Sequence, residues 1–263
     1  NYIDIIVMPP AVLPSEVTCF DSVRNFMRYF VAERKWDQFH TPVNILFALM
    51  GEFGELCEIF QWQGCVTDIR AALKSNKLTH LGEEISDVFV YNIRLADLCG
   101  LDLAQLIRDR LHLPAHGSAD SAQARPRLSF SECSHALESS CAETKSNNLP
   151  RHVILRLGST VGSLFALMQR RPESECVVGL PAWSADDLRV LEAGTVDIAC
   201  SLITLARLAK LDIGECLRDK FAKNQAKYPS HLVRGSSAKY TEYAHLIKQQ
   251  AQHGTAGTAG TTG

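Results

Sequence analysis

Two short segments of the chain carry acidic residues in pairs at helical spacing. Glu52 and Glu55 lie in the segment GEFGELCEIFQW, and Glu84 and Asp87 lie in EEISD. Residues three apart project from one face of a helix, so each pair presents two carboxylates together. If the two helices pack antiparallel, the four carboxylates meet and raise one another's pKa values. A hard divalent cation relieves that repulsion. Oxygen-only ligands suit Mg²⁺ or Mn²⁺, and Mg²⁺ commonly bridges to phosphate oxygens.

The same acidic pairs have two other interpretations. An ordinary amphipathic helix carries such pairs on a solvated face, where they meet Lys or Arg. A di-iron carboxylate bundle needs two ExxH motifs, and neither pair has one. Glu58 lies one turn beyond Glu55, where contact with a second metal and simple support of the first pair both remain open. The apolar neighbours leave little room for a purely polar face; they are Leu56, Ile59, Phe60, Val88, Phe89 and Tyr91.

The composition is that of an ordinary globular protein. The chain has 263 residues, of which 46% are hydrophobic and 21% charged, enough for a sizeable core. A formal net charge of −2 gives no global field for nucleic acid or an anionic membrane, and no apolar run is long enough to span a bilayer. The nine cysteines lack CxxC and zinc spacing, which favours free thiols in a reducing compartment. We therefore expect an intracellular protein, cytoplasmic or nuclear, that binds neither nucleic acid nor membrane.

Hydrophobic periodicity is helical almost throughout, which predicts an all-α fold. Thr41 and Asp102 are predicted N-caps, and Gly100 is a predicted C-cap glycine. The segment 112–128 is rich in Ala, Ser, Gly and Pro, which predicts a linker, and the low-complexity end, 246–263, is predicted to be disordered. Four helices are predicted before the linker, at about 15–35, 42–62, 79–99 and 102–111.

The second half of the chain resembles the first. Residues 87–109 align with residues 197–219 without a gap, and nine of the 23 positions are identical. Matching charged and turn positions favour a true duplication over coincidence between Leu/Ala-rich helices. The predicted organisation is a first repeat at 15–111, the linker, a degenerate second repeat at 129–228 and a tail at 229–245 that contributes to the site.

The repeat differs most at the acidic positions. In the second copy Thr160 stands opposite Glu52, Ser163 opposite Glu55 and Gly194 opposite Glu84; Asp87 alone keeps an acidic counterpart, Asp197. One copy has lost the acids while keeping its hydrophobic frame. The fold therefore does not require the carboxylates, which favours a functional role for them.

Three segments of the sequence together resemble the all-α nucleoside triphosphate pyrophosphohydrolases, the MazG-like superfamily, and most of all its dCTP pyrophosphatase branch. The ExxE…ExxD pattern alone is weak evidence. Combined with WDQFHTP, the tryptophan at position 62 and KYPSHLVRGSSAKYTE, it becomes specific. The matching segments are ERKWDQFHTPVNILFALMGEFGELCEIFQW at 33–62, LGEEISDVFVYNIRLADLCGLDL at 81–103 and KNQAKYPSHLVRGSSAKYTE at 223–242.

The resemblance implies a MazG-like four-helix bundle, here with two tandem repeats that form a pseudo-dimer, and one site per chain. It also implies Mg²⁺-dependent hydrolysis of dCTP, including 5-modified forms, to dCMP and pyrophosphate. The catalytic and metal-binding residues would be Glu52, Glu55, Glu84 and Asp87, with Glu52 and Glu55 both open as the base that activates water. Substrate binding is expected from Trp36, Phe39, His40, Asn44, Trp62, Tyr91, Lys220, Asn224, Lys227, Tyr228, Arg234 and Lys239.

Three points stay open at the level of sequence. An all-α enzyme acting on dUTP or dUDP would share the same acidic pattern. A non-catalytic helical binding module would carry the acids as surface groups. A pseudo-dimer is also able to pair again, so a homodimer of pseudo-dimers is an expected assembly, with the nucleotide as the expected small-molecule partner.

Overall fold

The computed structural model describes residues 13–114, 127–141 and 149–236. Within these ranges the chain forms ten α-helices and no β-strand, which confirms the predicted all-α fold. No described helix combines the length and apolarity needed to cross a bilayer. The helices are α1 (Phe20–Arg34), α2 (Pro42–Phe60), α3 (Ile69–Ala72), α4 (Ser75–Leu98), α5 (Leu103–Arg110), α6 (Phe130–Cys141), α7 (Pro150–Gln169), α8 (Ala185–Leu208), α9 (Ile213–Lys227) and α10 (Ser230–Val233).

The predicted caps set the ends of the helices that matter for the site. The Thr41 hydroxyl accepts a hydrogen bond from the backbone N–H of Asn44 at 3.2 Å and so starts α2. The carboxylate of Asp102 accepts one from the backbone of Gln105 at 3.1 Å and starts α5. Gly100, with φ +74°, takes the left-handed conformation that allows the chain to leave α4.

Helix boundaries differ from the prediction by up to about five residues. α1 begins at Phe20 because Cys19 is extended and forms an isolated antiparallel bridge with Ser129. α4 begins at Ser75, one turn early. The connector before it contains the short helix α3, which is capped by Asp68. The sequence analysis did not predict α3, because a polar connector does not show by its composition that one of its turns is helical.

Most of the predicted linker and all of the predicted disordered end lie outside the described residues. Leu128, the last linker position, is fully buried next to the bridge at Ser129. The structure describes the side chains of eight of the nine cysteines, and all eight are free thiols.

The helices pack as two crossed sets. α2 lies along α4 in the first half, and α7 lies along α8 in the second half. α4 and α8 contact each other at the centre of the molecule. α9 crosses over to pack on α4, whereas α5 crosses over to pack on α8. Each central helix is therefore covered by elements from both halves of the chain.

An aromatic junction joins the two halves. The rings of Phe20 on α1 and Phe130 on α6 lie 5.1 Å apart, and Phe89 on α4 packs at 5.6 Å from Phe20 and 5.7 Å from Phe130. All three side chains are buried, so the junction gains free energy from removing large apolar surface from water.

The replacement Phe89→Ala should lower the free energy of unfolding by about 3–5 kcal/mol, because it leaves a cavity between the two halves. Val178→Ala is the control, since Val178 is 58% exposed and its truncation should change stability by less than about 0.5 kcal/mol. Urea unfolding followed by circular dichroism measures both. A cost below about 1 kcal/mol for Phe89→Ala would contradict a packed junction.

Candidate active site

The structure brings three of the four predicted acids together. Glu52 and Glu55 project from α2, and Glu84 projects from α4. One carboxylate oxygen from each lies within 4.8 Å of the other two. Asp87 lies one turn further along α4, where its carboxylate forms an ion pair with the ammonium of Lys220 on α9.

The state of Glu84 tests whether the cluster fits a cation. Its Oε1 lies 3.2 Å from Nδ1 of His80, whereas its Oε2 is buried and has no hydrogen-bond partner among the described residues. A buried carboxylate oxygen without a donor is costly. A divalent cation bound by Glu52, Glu55 and Glu84 would satisfy this oxygen, and an all-oxygen donor set suits Mg²⁺ or Mn²⁺.

Without such a cation, burial and neighbouring charges raise the pKa values of Glu52, Glu84 and Asp87. Burial raises the pKa of Glu52 to about 7, and the charges of Asp87 and Glu55 add to the effect. Burial and the charge of Asp87 raise the pKa of Glu84 to about 7. The pKa of Asp87 is also raised, because its burial outweighs the opposing attraction of Lys220. The cluster therefore holds protons near neutral pH that a bound cation would displace.

The basic face of the site comes from α9. Burial lowers the pKa of Lys220, but the contact with Asp87 outweighs it, so the pKa is raised and the ammonium stays charged. Asn224 and Lys227 follow one and two turns along the same helix and line a neighbouring cavity. Lys223 pairs with Glu83 on α4. α9 thus presents cations and an amide next to the acids, as a polyphosphate requires.

A cavity of about 700 Å³ lies beside the acidic cluster, with Asp87 on its wall. Its lining is mostly aromatic and apolar, with a few polar groups, which is the composition of small-molecule sites. The burial of Tyr91 raises the pKa of its hydroxyl, and the charges of Glu52 and Asp87 act in the same direction. Eight predicted substrate-binding residues line this cavity: Trp36, Phe39, His40, Asn44, Tyr91, Asn224, Lys227 and Tyr228.

Two predicted binding residues lie away from the cavity. Trp62 follows the end of α2, is 86% exposed and does not line the cavity. Arg234 follows α10 and is exposed. Lys239 lies outside the described residues. Glu58 is exposed and does not join the cluster of three carboxylates.

Part of the cavity wall was missed by the sequence analysis. Phe26, Met27 and Phe30 form one stripe of α1, and Phe221 on α9 stacks on Phe26 at 4.0 Å between ring centroids. A helical stripe of apolar residues has the same pattern whether it faces a core or a cavity. Arg94 was also missed: it is buried and donates to His40, and nothing in its spacing distinguishes it from a surface arginine.

A second pocket lies at the corresponding place in the other half. Its volume is about 540 Å³, and Thr160, Ser163, Gly194 and Asp197 are among its lining residues. These are the positions that align with the four acids. Asp197 forms an ion pair at 2.9 Å with Arg110 of α5, as Asp87 does with Lys220.

The acidic cluster predicts an unusual dependence of stability on pH. The unfolded chain releases the protons of Glu52 and Glu84 near pH 4.5, whereas the folded chain keeps them up to about pH 7. Without divalent cation, the stability of the wild type relative to the Glu52→Gln/Glu84→Gln double variant should therefore fall as pH rises from about 4.5 to about 7.

Thermal unfolding of both proteins at pH 5, 6, 7 and 8 measures this difference, with other carboxylates cancelling between them. Addition of Mg²⁺ at pH 8 should raise the melting temperature of the wild type and leave that of the double variant unchanged. A relative stability that is flat or rises with pH would contradict the placement of these two acids.

Comparison with known proteins gives a consistent group of relatives. Neither a protein-family model nor a solved structure matches the chain. dCTP pyrophosphatase 1 of Mus musculus is 39% identical over 120 residues, which cover 43% of this chain and 71% of the relative. The protein of the same name from Bos taurus is 40% identical over 118 residues, covering 43% and 69%. The one from Homo sapiens is 38% identical over 116 residues, covering 39% and 64%. Taken with the all-α fold and the acidic cluster, these identities show that the chain belongs to the dCTP pyrophosphatase family.

Proposed function

We propose that the protein hydrolyses dCTP, including 5-modified forms, to dCMP and pyrophosphate in the presence of Mg²⁺. The observation that carries this proposal is the cluster of Glu52, Glu55 and Glu84 next to an aromatic cavity with cationic residues of α9 beside it. A nucleotide has the matching parts: a polyphosphate that needs cations and a flat base that needs an apolar slot. The names of the relatives support dCTP as the substrate.

Each group of residues has a defined task in this proposal. Glu52, Glu55 and Glu84 would hold the divalent cation, which would polarise phosphate and water oxygens when bound. A water attacks the α-phosphorus, its proton passes to a carboxylate oxygen of Glu52 or Glu55, and pyrophosphate leaves. Lys220 and Lys227 stabilise the negative charge of the polyphosphate and of the departing pyrophosphate. The aromatic walls of the cavity exclude water from the base.

We further propose that the active site is completed across the two repeats of one chain. The acids come from α2 and α4, whereas Lys220 comes from α9 in the second half. Arg110 and Asp197 repeat the pair of Lys220 and Asp87 at the same shift of 110 residues along the sequence. Cys19 and Ser129, which form the isolated bridge, are also 110 residues apart, and so are Phe20 and Phe130, whose rings contact each other. These reciprocal contacts support a pseudo-dimer.

The second pocket is unsuited to a cation. Thr160 and Ser163 use their hydroxyls to donate to carbonyls of their own helix. A Cβ atom at Gly194 would come within 2.6 Å of the buried side chain of Leu164, so a glutamate there would not fit without repacking. We therefore expect one active site per chain.

Incubation of the protein with each dNTP and Mg²⁺ tests the proposed reaction directly. Pyrophosphate and dCMP should appear from dCTP and should be lost on chelation of the metal. Glu84→Gln should lower kcat/KM by at least about 100-fold while circular dichroism stays unchanged. Turnover of dUTP but not dCTP would favour the dUTP-hydrolysing alternative. Absence of pyrophosphate from every dNTP would favour the non-catalytic module.

The two equivalent ion pairs provide a matched test of the one-site arrangement. Lys220→Ala should lower kcat/KM for dCTP by about 100-fold, because a partly buried cation is removed from the polyphosphate site. Arg110→Ala removes the counterpart in the second pocket and should leave kcat/KM unchanged. Comparable losses in both variants, or two equivalent Mg²⁺ sites per chain by calorimetry, would contradict a single active site.

A further inference from the structure

Two side chains on the wall of the cavity have their hydrogen-bonding atoms fixed by the protein. Asn44 is the first: its Nδ2 donates to the backbone carbonyl of Phe39 at 2.9 Å. A carbonyl only accepts, so the NH₂ group must be on that side of the amide. The Oδ1 atom has no partner among the described residues. Asn44 is therefore a pre-oriented acceptor in the lining of the cavity.

His40 is the second, and Arg94 fixes its tautomer. The Nε–H of Arg94 donates to Nδ1 of His40 at 3.2 Å. Because an arginine has no acceptor, Nδ1 must be unprotonated and the ring proton must lie on Nε2. Burial and the adjacent arginine lower the pKa of His40 to about 4, which keeps the ring neutral. The Nε2–H is thus a pre-oriented donor.

Arg94 is itself held in place. It is buried on α4, and its guanidinium pairs with Asp97 at 2.9 Å and with Asp37 at 3.3 Å. A guanidinium that is clamped by two carboxylates does not rotate to offer its charge to the cavity. Arg94 acts as a positioning residue that sets the donor on His40.

A fixed donor and a fixed acceptor in the lining of a mostly apolar cavity distinguish bases by the order of their edge groups. Cytosine presents an acceptor at N3 next to a donor, the 4-amino group. Uracil and thymine present the reverse, an N3–H donor next to the O4 acceptor. Once a bound base excludes water from Asn44 and His40, a site built to satisfy one order leaves its polar groups unpaired when it meets the other, which gives strong discrimination. Adenine carries the same order as cytosine. Such a pair of residues therefore discriminates against uracil and thymine but not against adenine.

We propose that Asn44 and His40 form the specificity-determining pair of the site, with Asn44 Oδ1 accepting from the 4-amino group of cytosine and His40 Nε2–H donating to N3. This inference rests on the proposed function, since it concerns the base of the same nucleotide. It explains the choice of an amino pyrimidine by hydrogen bonds already set in the protein.

The ratio of kcat/KM for dCTP to that for dUTP tests the pair. Asn44→Leu keeps the approximate shape and removes the acceptor, so the ratio should fall at least about tenfold, with the loss confined to dCTP. His40→Phe should lower the ratio in the same way, and His40→Gln, which retains a donor, should recover part of it. Gln38→Ala is the control: Gln38 also donates an amide to a backbone carbonyl, of Lys35, but does not line the cavity. It should leave the ratio unchanged.

Equal losses for dCTP and dUTP in Asn44→Leu would mean a structural role and would overturn the pair. Calorimetric binding of dCMP and dUMP to the wild type gives a readout that does not depend on turnover. Preferential binding of dCMP, lost in Asn44→Leu, supports the pair even if no dNTP is hydrolysed, in which case the proposed reaction alone fails. Equal binding of the two monophosphates to the wild type overturns it.

Discussion

The burial of several carboxylates beside one another is the constraint on which the site of this molecule is organised. α2 and α4 bring Glu52, Glu55 and Glu84 within 4.8 Å of one another, at a cost in ionisation that the helices themselves do not offset. Lys220 of α9 offsets part of this negative charge through its ion pair with Asp87. The packing of α9 on α4, and with it the joining of the two halves, is therefore coupled to the charge of the site.

The second half shows what the same frame is like without that constraint. α7 packs along α8 as α2 packs along α4, but hydroxyls and a glycine replace the acids. Leu164 occupies the space next to Gly194 that a side chain would need. The fold is thus compatible with either lining. The difference between the two pockets resides in a few side chains and not in the architecture, which is why function follows from the site and not from the fold.

Much of the fold and the chemistry could be predicted from local sequence, and the remainder depended on contacts distant along the chain. Spacing on a helix and cap chemistry are local, so the acid pairs and the start of α2 at Thr41 were predictable. The sequence does not predict that α1 lines the cavity, because an apolar helical stripe has the same period whether it faces a core or a cavity. The contacts of Arg94 with Asp37 and His40 join residues that are 57 and 54 positions apart along the chain, which no periodicity reveals. Trp62 follows the end of α2, and its exposure was not predictable because helix ends are the least certain part of a sequence-based prediction.

The placement of both pockets in one polypeptide has an evolutionary consequence. In a symmetric pair of identical chains, every substitution appears in both sites, so a change that ruins the lining ruins all copies at once. Here Gly194 and Glu84 are encoded separately, although they occupy corresponding positions. In the proposed pseudo-dimer, one lining is therefore free to change while selection acts on the other. The second pocket then becomes surface on which new residues can be tried without loss of the first.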